Sequence, residues 1–220
     1  MRAHNLNVGD RLFEVRFTEA SDGDFQIDSD QDQLANNRSN VVDYQWTWVR
    51  QTHSSKVIRV TQPVGYAGEA DALVTSTPGV PISITTADCM PIVLIGNHNL
   101  GVVHAGWRGL VGGVVQETVK AIREDNDSIV SVLLGPHIGV EDYEFGEAEL
   151  ENLIAQFGEE VKGQTSWGAP ALDLHRALVD VCETLHMPAP EMAESTVSDS
   201  FYSHRVRSDP QRQALVAWIS

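Results

Sequence analysis

Pro81-Ile82-Ser83-Ile84-Thr85-Thr86-Ala87-Asp88-Cys89-Met90-Pro91-Ile92-Val93-Leu94-Ile95 decides the fold, because two apolar, β-branched runs flank a break that carries an acid and a thiol. Runs of this length bounded by Pro, Gly and Asp read as buried strands. Ala72-Leu73-Val74 precedes them and Gly101-Val102-Val103 follows, so all four runs are expected to lie as neighbours in one buried sheet. Working outward, Arg11-Leu12-Phe13-Glu14-Val15-Arg16-Phe17 alternates as a strand with one buried face, and Tyr44 to Val49 is aromatic and β-branched enough for another. The polar stretch from Asp22 to Asn40 reads as an exposed loop ending in a short helix. Val111, Val114, Val115, Val119 and Ile122 share one helical face, which predicts an amphipathic helix over Leu110 to Arg123. Further on, Ile129 to Leu134 reads as a strand and Glu147 to Gln156 as a helix. Leu174, Ala177, Leu178, Val181, Cys182 and Leu185 form the stripe of another helix, and Gln213 to Ile219 closes as a strand. Elements of both kinds mix without regular alternation, which predicts an α+β fold rather than a doubly wound nucleotide-binding sheet.

The chain has 220 residues, 42% hydrophobic and 21% charged, enough to bury one sizeable core, and no linker or repeat divides it. A single domain over residues 1–220 is expected. Fifteen Lys and Arg against 31 Asp and Glu give a formal net charge of -16, which argues against capture of nucleic acid or an anionic membrane by a basic surface. An anionic ligand therefore needs a local positive site. Two cysteines and an N-terminus without an apolar run point to a reducing, cytoplasmic compartment. No apolar stretch approaches the roughly 20 residues that span a bilayer.

Reactive side chains concentrate in three places, each at an expected strand end: Gln51-Thr52-His53, Thr86-Ala87-Asp88-Cys89-Met90-Pro91 and His104-Ala105-Gly106-Trp107-Arg108-Gly109. Two imidazoles and a thiolate, from His53, His104 and Cys89, suit Zn²⁺ and leave a fourth tetrahedral position open, as in catalytic sites. Their wide separation in sequence keeps other readings in play, since a lone cysteine after a strand is commonly a small core residue. Cys182, on the apolar stripe of a helix, is read that way.

Those motifs, with Ala70-Asp71-Ala72-Leu73-Val74, Gly135-Pro136-His137-Ile138-Gly139, Tyr143-Glu144, Leu172-Asp173-Leu174 and Phe201-Tyr202-Ser203-His204-Arg205, stand in the order characteristic of the laccase-domain family. The family is also called multicopper polyphenol oxidoreductase, purine nucleoside phosphorylase of that type, or peptidoglycan editing factor, and the resemblance runs from Asn37-Arg38 onward. It implies a layered α-β-β-α sandwich of two related mixed halves, similar to cysteine-dependent toxin deamidases. It also implies a catalytic metal on His53, Cys89 and His104. The chain departs from the family pattern at Val140-Glu141-Asp142, where cysteines are usual, and at Phe17 to Gly23, where the early glycine-rich elements are reduced.

By that resemblance the activity is phosphorolysis of adenosine, inosine, guanosine and methylthioadenosine, with deamination of adenosine, using zinc and inorganic phosphate. Zinc on this ligand set can bring bound water to a pKa near 7. Asp88, His137 and Glu144 are candidates for proton transfer. Arg108 is the expected phosphate clamp, through paired charge-assisted hydrogen bonds, with Arg205 a second candidate and Gln51 and Tyr143 as further substrate-binding residues. Two alternatives differ in class. A copper oxidase of phenols needs several coppers and more clustered histidines than the eight of this chain supply. A cysteine amidase acting on cell-wall precursors would use Cys89 as a nucleophile with His104 as base, and would need the thiolate free of metal.

Overall fold

A computed structural model describes residues 1–220. The chain opens with β1 (Arg2–Val8), β2 (Arg11–Phe17), α1 (Gln31–Val41), β3 (Thr47–Arg50), β4 (Val57–Arg59), β5 (Tyr66–Glu69) and β6 (Ala72–Thr75). Its middle is β7 (Ile82–Thr86), β8 (Met90–Gly96), β9 (Leu100–Ala105), α2 (Trp107–Val111), α3 (Val114–Arg123) and β10 (Ile129–Leu134). It closes with α4 (Glu147–Phe157), β11 (Lys162–Gln164), β12 (Pro170–Leu172), α5 (Leu174–Thr184), α6 (His204–Arg207) and β13 (Gln213–Ile219).

Two mixed sheets stack face to face. One has the order β1-β2-β13-β7-β3-β5, the other β10-β8-β9-β6-β4, and β11 with β12 forms a small separate ribbon. Side-chain alternation explains the layering, because successive residues of a strand point to opposite faces. In β13, Leu215, Ala217 and Ile219 join Phe13, Val15, Ile82 and Ile84 against Leu73, Val93, Ile95 and Val102 of the other sheet. The intervening Ala214, Val216 and Trp218 face outward onto Phe25, Leu34 and Trp46, under α1. In β8, Met90, Ile92 and Leu94 take the opposite face and pack with Val115, Val119 and Ile122 of α3 and with Leu153, Leu178 and Val181 of α4 and α5. The central strands β8, β9 and β13 are buried on both faces, so they read as nearly continuous apolar runs. The result is the α-β-β-α sandwich expected.

Three expectations need correction. The Pro81–Thr85 run is not a neighbour of the Ala72, Ile92 and Gly101 runs: β7 pairs with β13 and β3 in the six-stranded sheet, while β6, β8 and β9 pair in the other. A doubly buried strand carries no mark of which sheet it joins. The helix expected over Leu110 to Arg123 is two helices, parted at Gly112 and Gly113, where Gly113 takes φ 81, a left-handed conformation that glycine adopts without a Cβ clash. The strand expected over Tyr44 to Val49 starts only at Thr47. β1 was not signalled by its sequence, because Arg-Ala-His-Asn-Leu-Asn-Val buries almost nothing and owes its place to antiparallel pairing with β2.

Candidate metal centre and its cleft

The loops after β3, β7 and β9 meet at one end of the stacked sheets. His53 follows β3, Cys89 lies between β7 and β8, and His104 is near the end of β9. Their ligand atoms all lie within 4.8 Å of one another, with His53 Nε2 3.8 Å from Cys89 Sγ. Tetrahedral zinc, with bonds of about 2.0–2.3 Å, places its ligands roughly 3.3–3.8 Å apart, so this donor set fits the ion with small adjustments. Gly106 makes room for it: a Cβ there would stand 2.9 Å from Cys89 Sγ and 3.3 Å from His53 Cδ2.

Two ligand-bearing loops are held in uncommon backbone conformations. His53 has φ 57 and Asp88, beside Cys89, has φ 97. Such residues persist only where surrounding bonds over-determine them. For His53 that bond set is Asp71, fully buried, whose carboxylate accepts from the backbone N–H of Thr52 at 3.2 Å, His53 at 3.0 Å and Ser54 at 2.6 Å. The Ser54 hydroxyl adds a bond of 2.8 Å, and His104 Nδ1 donates at 2.9 Å. With Nδ1–H spent on Asp71, His104 turns Nε2 toward Cys89, the arrangement that fixes the tautomer of a metal-binding histidine.

Electrostatics follow from that geometry. Burial raises the Asp71 pKa, but donors from His104 and Ser54 outweigh it and hold the carboxyl well below the usual range. Burial likewise raises the Cys89 thiol, while His104 and His53 pull it down further than burial pushes it up. Burial lowers His104, and Cys89 with Asp71 lift it above its ordinary value. The two shifts share a cause, the close approach of thiol and imidazole, and each favours the charged form of its group.

The three ligands sit in a cleft of about 380 Å³, within the range of small-molecule sites. Its other walls include Asp28, Arg50, Gln51, Thr85, His204 and Arg212. A larger cavity of about 460 Å³, between β1, β10 and residues 188–194, contains none of the ligands.

The remaining sequence candidates divide. Gln51 lines the cleft, yet both ends of its amide are spent on Thr85: Nε2 donates to its carbonyl at 2.7 Å and Oε1 accepts from its N–H at 2.8 Å. The Asp88 carboxylate accepts from Thr196 Oγ1 at 2.7 Å and from the Arg205 N–H at 2.6 Å, tying the C-terminal loops to the Cys89 turn. Tyr143 is buried, with Arg205 stacked 4.9 Å over its ring; burial first, and the negative Cys89 next, push its phenol up to about 12. Arg108 is exposed, 4.3 Å over the Trp107 ring and outside the lining of the cleft. His137 is buried away from the cleft, its Nδ1–H on the Gly135 carbonyl at 3.1 Å, and burial lowers its pKa to about 4. Glu144 accepts from the Trp167 indole at 2.9 Å. Sequence reasoning gave no role to Asp71, His204 or Arg212. For Asp71 a signal existed: an acid between Ala70 and Ala72, inside an apolar run, is costly unless fully bonded.

Known proteins are similar to this chain in sequence and in fold. A purine nucleoside phosphorylase of Xylella fastidiosa is 35% identical over 190 residues, 78% of this chain and 71% of that protein. One from Aquifex aeolicus is 39% identical over 97 residues, and there the chain spans about half, 47%, of the relative's length. Among solved structures, a Neisseria meningitidis protein superposes with a TM-score of 0.80 at 20% identity, covering all of both chains. YlmD from Geobacillus stearothermophilus gives 0.73 at 21% identity over 96% of this chain and 92% of its own. Both share the fold. The family model described as multi-copper polyphenol oxidoreductase laccase matches residues 16–220, and the chain belongs to that family.

Proposed function

We propose that this chain is a zinc-dependent enzyme of purine nucleosides, cleaving the bond between ribose and base with phosphate, with deamination of adenosine as a companion activity. The observation that carries the reading is the convergence of His53, Cys89 and His104 at the floor of a cleft of ligand size, with Asp71 aiming His104. Relatives named purine nucleoside phosphorylase support the substrate class. Zinc on His53, Cys89 and His104 would supply a Lewis acid with one open position. The chain's own residues orient the ligands, His104 through Asp71, and favour the thiolate form of Cys89. Copper on the same residues is the second choice, because the chain has one His/Cys group of this kind and oxygen reduction to water needs several coppers.

The Asp71-His104-Cys89 series also has the order of a carboxylate, imidazole and thiol in a cysteine hydrolase, which supports a cysteine amidase as a further alternative. Metal content separates them, since an ion on Cys89 removes the free nucleophile. The test is metal analysis of protein purified without added metal, then chromatography of adenosine incubated with and without phosphate. About one zinc per chain, phosphate-dependent adenine and loss of both in Cys89→Ala is the expected result. A zinc-loaded protein that turns over no nucleoside refutes the proposal.

A further inference from the structure

Phosphorolysis needs a place for phosphate, and this inference rests on the nucleoside reading just given. The argument starts from net charge: a chain at -16 repels phosphate everywhere except at a local cation. Two arginines line the cleft that holds the metal ligands. Arg50 is already neutralised, its Nη2 2.8 Å and its Nη1 3.3 Å from the two oxygens of Asp28. Arg212 makes no salt bridge: the Asp209 carboxylate, near enough to feel its charge, is paired with Arg207 at 2.9 Å. Arg212 Nη1 donates to the carbonyls of Asp209 at 3.0 Å, Pro210 at 3.1 Å and Gln211 at 2.7 Å, while Nε and Nη2 make no hydrogen bond within the chain. Its backbone is fixed too, with the N–H on Asp24 Oδ1 at 3.0 Å and the carbonyl accepting from Phe25 at 2.9 Å. The guanidinium is thus anchored at one nitrogen, with two parallel N–H groups left over, the fork that binds phosphate oxygens bidentately. His204 also lines this cleft.

We infer that Arg212, with His204 in the same cleft, forms an oxyanion subsite in the cleft that holds His53, Cys89 and His104, and that this subsite rather than Arg108 takes a phosphate group. The phosphate has two sources: free hydrogen phosphate as co-substrate, or the 5′-phosphate of a nucleotide. In the first case an oxygen of hydrogen phosphate bonds to C1′ as the C1′–N9 bond breaks, the electron pair leaves with the purine, and the proton given up by hydrogen phosphate is matched by the one the purine gains.

The test titrates inorganic phosphate, adenosine and adenosine 5′-monophosphate calorimetrically into zinc-loaded wild type, Arg212→Gln, Arg212→Lys and Arg108→Gln. Arg212→Lys keeps a donor for the 209–211 carbonyls but not the fork, so it separates phosphate binding from folding, and melting temperature and zinc content are read on every variant. The expected result is that both Arg212 variants lose phosphate affinity about tenfold or more, as removal of charge-assisted bonds does, while Arg108→Gln keeps it. A free-phosphate site shows this loss with inorganic phosphate itself. A nucleotide site shows it only as loss of the advantage of the monophosphate over adenosine. Wild-type affinity in Arg212→Lys, or the loss appearing in Arg108→Gln instead, overturns the inference. Arg212-dependent phosphate binding without any nucleoside turnover would sink the proposed reaction and leave the subsite standing.

Discussion

Asp71 and Asp127 are the same device used for two ends. Each is a buried carboxylate that closes a loop by collecting N–H donors. Asp127 accepts from Asn97 N–H at 2.8 Å, His98 at 2.9 Å, Asn99 at 2.8 Å and Ser128 at 2.8 Å, with the Asn97 and Asn99 side-chain amides at 3.0 and 3.1 Å, and so fixes the β8–β9 turn. Asp71 collects Thr52, His53 and Ser54 in the same way, and differs in one partner, the ring of His104. At Asp127 the bond energy ends in a rigid turn. At Asp71 it is passed to two residues of the candidate metal site, His53 through its backbone and His104 through its ring. What separates a structural staple from a functional one is therefore what it holds, not how strongly it holds.

The largest effect is expected at Asp71. Asp71→Ala strips the acceptor from three backbone N–H groups and from His104, a loss of about 3–5 kcal/mol of stability by analogy with broken buried pairs. Zinc affinity should fall about 10- to 100-fold, the usual cost of removing such a supporting group, measured by competition with a chromophoric chelator. Asp127→Ala should cost about 2–4 kcal/mol in urea unfolding and leave zinc affinity within about twofold of wild type. Equal effects of the two variants on zinc would break the comparison.

Acid should show the staple at Asp127 in the difference between wild type and Asp127→Asn, where the titrations of the metal site are common to both. Burial raises this carboxyl, but the donors from His98, Asn99 and Asn97 outweigh burial and hold it well below the usual range. A folded-state pKa below the unfolded value of about 3.9 gives stability that is full above about pH 5 and is lost as pH falls toward the folded value. Asp127→Asn carries no such titration. Its deficit in unfolding free energy against wild type should be largest at pH 6 and shrink toward pH 3; a constant deficit would show that the carboxylate charge plays no part.

How much of this was legible depends on what each residue must meet. His53, Cys89 and His104 were visible because polar side chains at the ends of buried strands have few structural reasons to be there, and Ile92 to Ile95 or Gln213 to Ile219 were visible because both faces are apolar. Arg212 lies 159 residues from His53 in number and gains meaning only when β13 brings it to the cleft, so no local pattern signals it. β7 looked like its neighbours in sequence and sits in the other sheet, since pairing is decided by β13 from the far end of the chain. Arg108 stood in the most specific motif, and its guanidinium nonetheless packs on Trp107. The motifs named the three side chains that the fold brings within 4.8 Å of one another and left out Arg212, which lines the same cleft.

The smallest and sharpest test divides the Asp71 staple internally. Ser54 gives that carboxylate both its N–H, at 2.6 Å, and its hydroxyl, at 2.8 Å. Ser54→Ala removes only the second. The carboxylate keeps three backbone donors and His104, so the loss is one hydrogen bond to a charged acceptor, with the longer bond that Ser54 Oγ accepts from the Lys56 N–H at 3.3 Å, about 1.5 kcal/mol in urea unfolding. If Asp71 acts by aiming the His104 ring, the 2.9 Å bond to Nδ1 survives and zinc affinity weakens less than about threefold. If the staple acts instead as one cooperative network, weakening any member loosens all of it, and Ser54→Ala would approach Asp71→Ala in its effect on zinc. The ratio of the two zinc affinities therefore distinguishes a single directed bond from a shared lattice of bonds, at a position where the fold itself is barely disturbed.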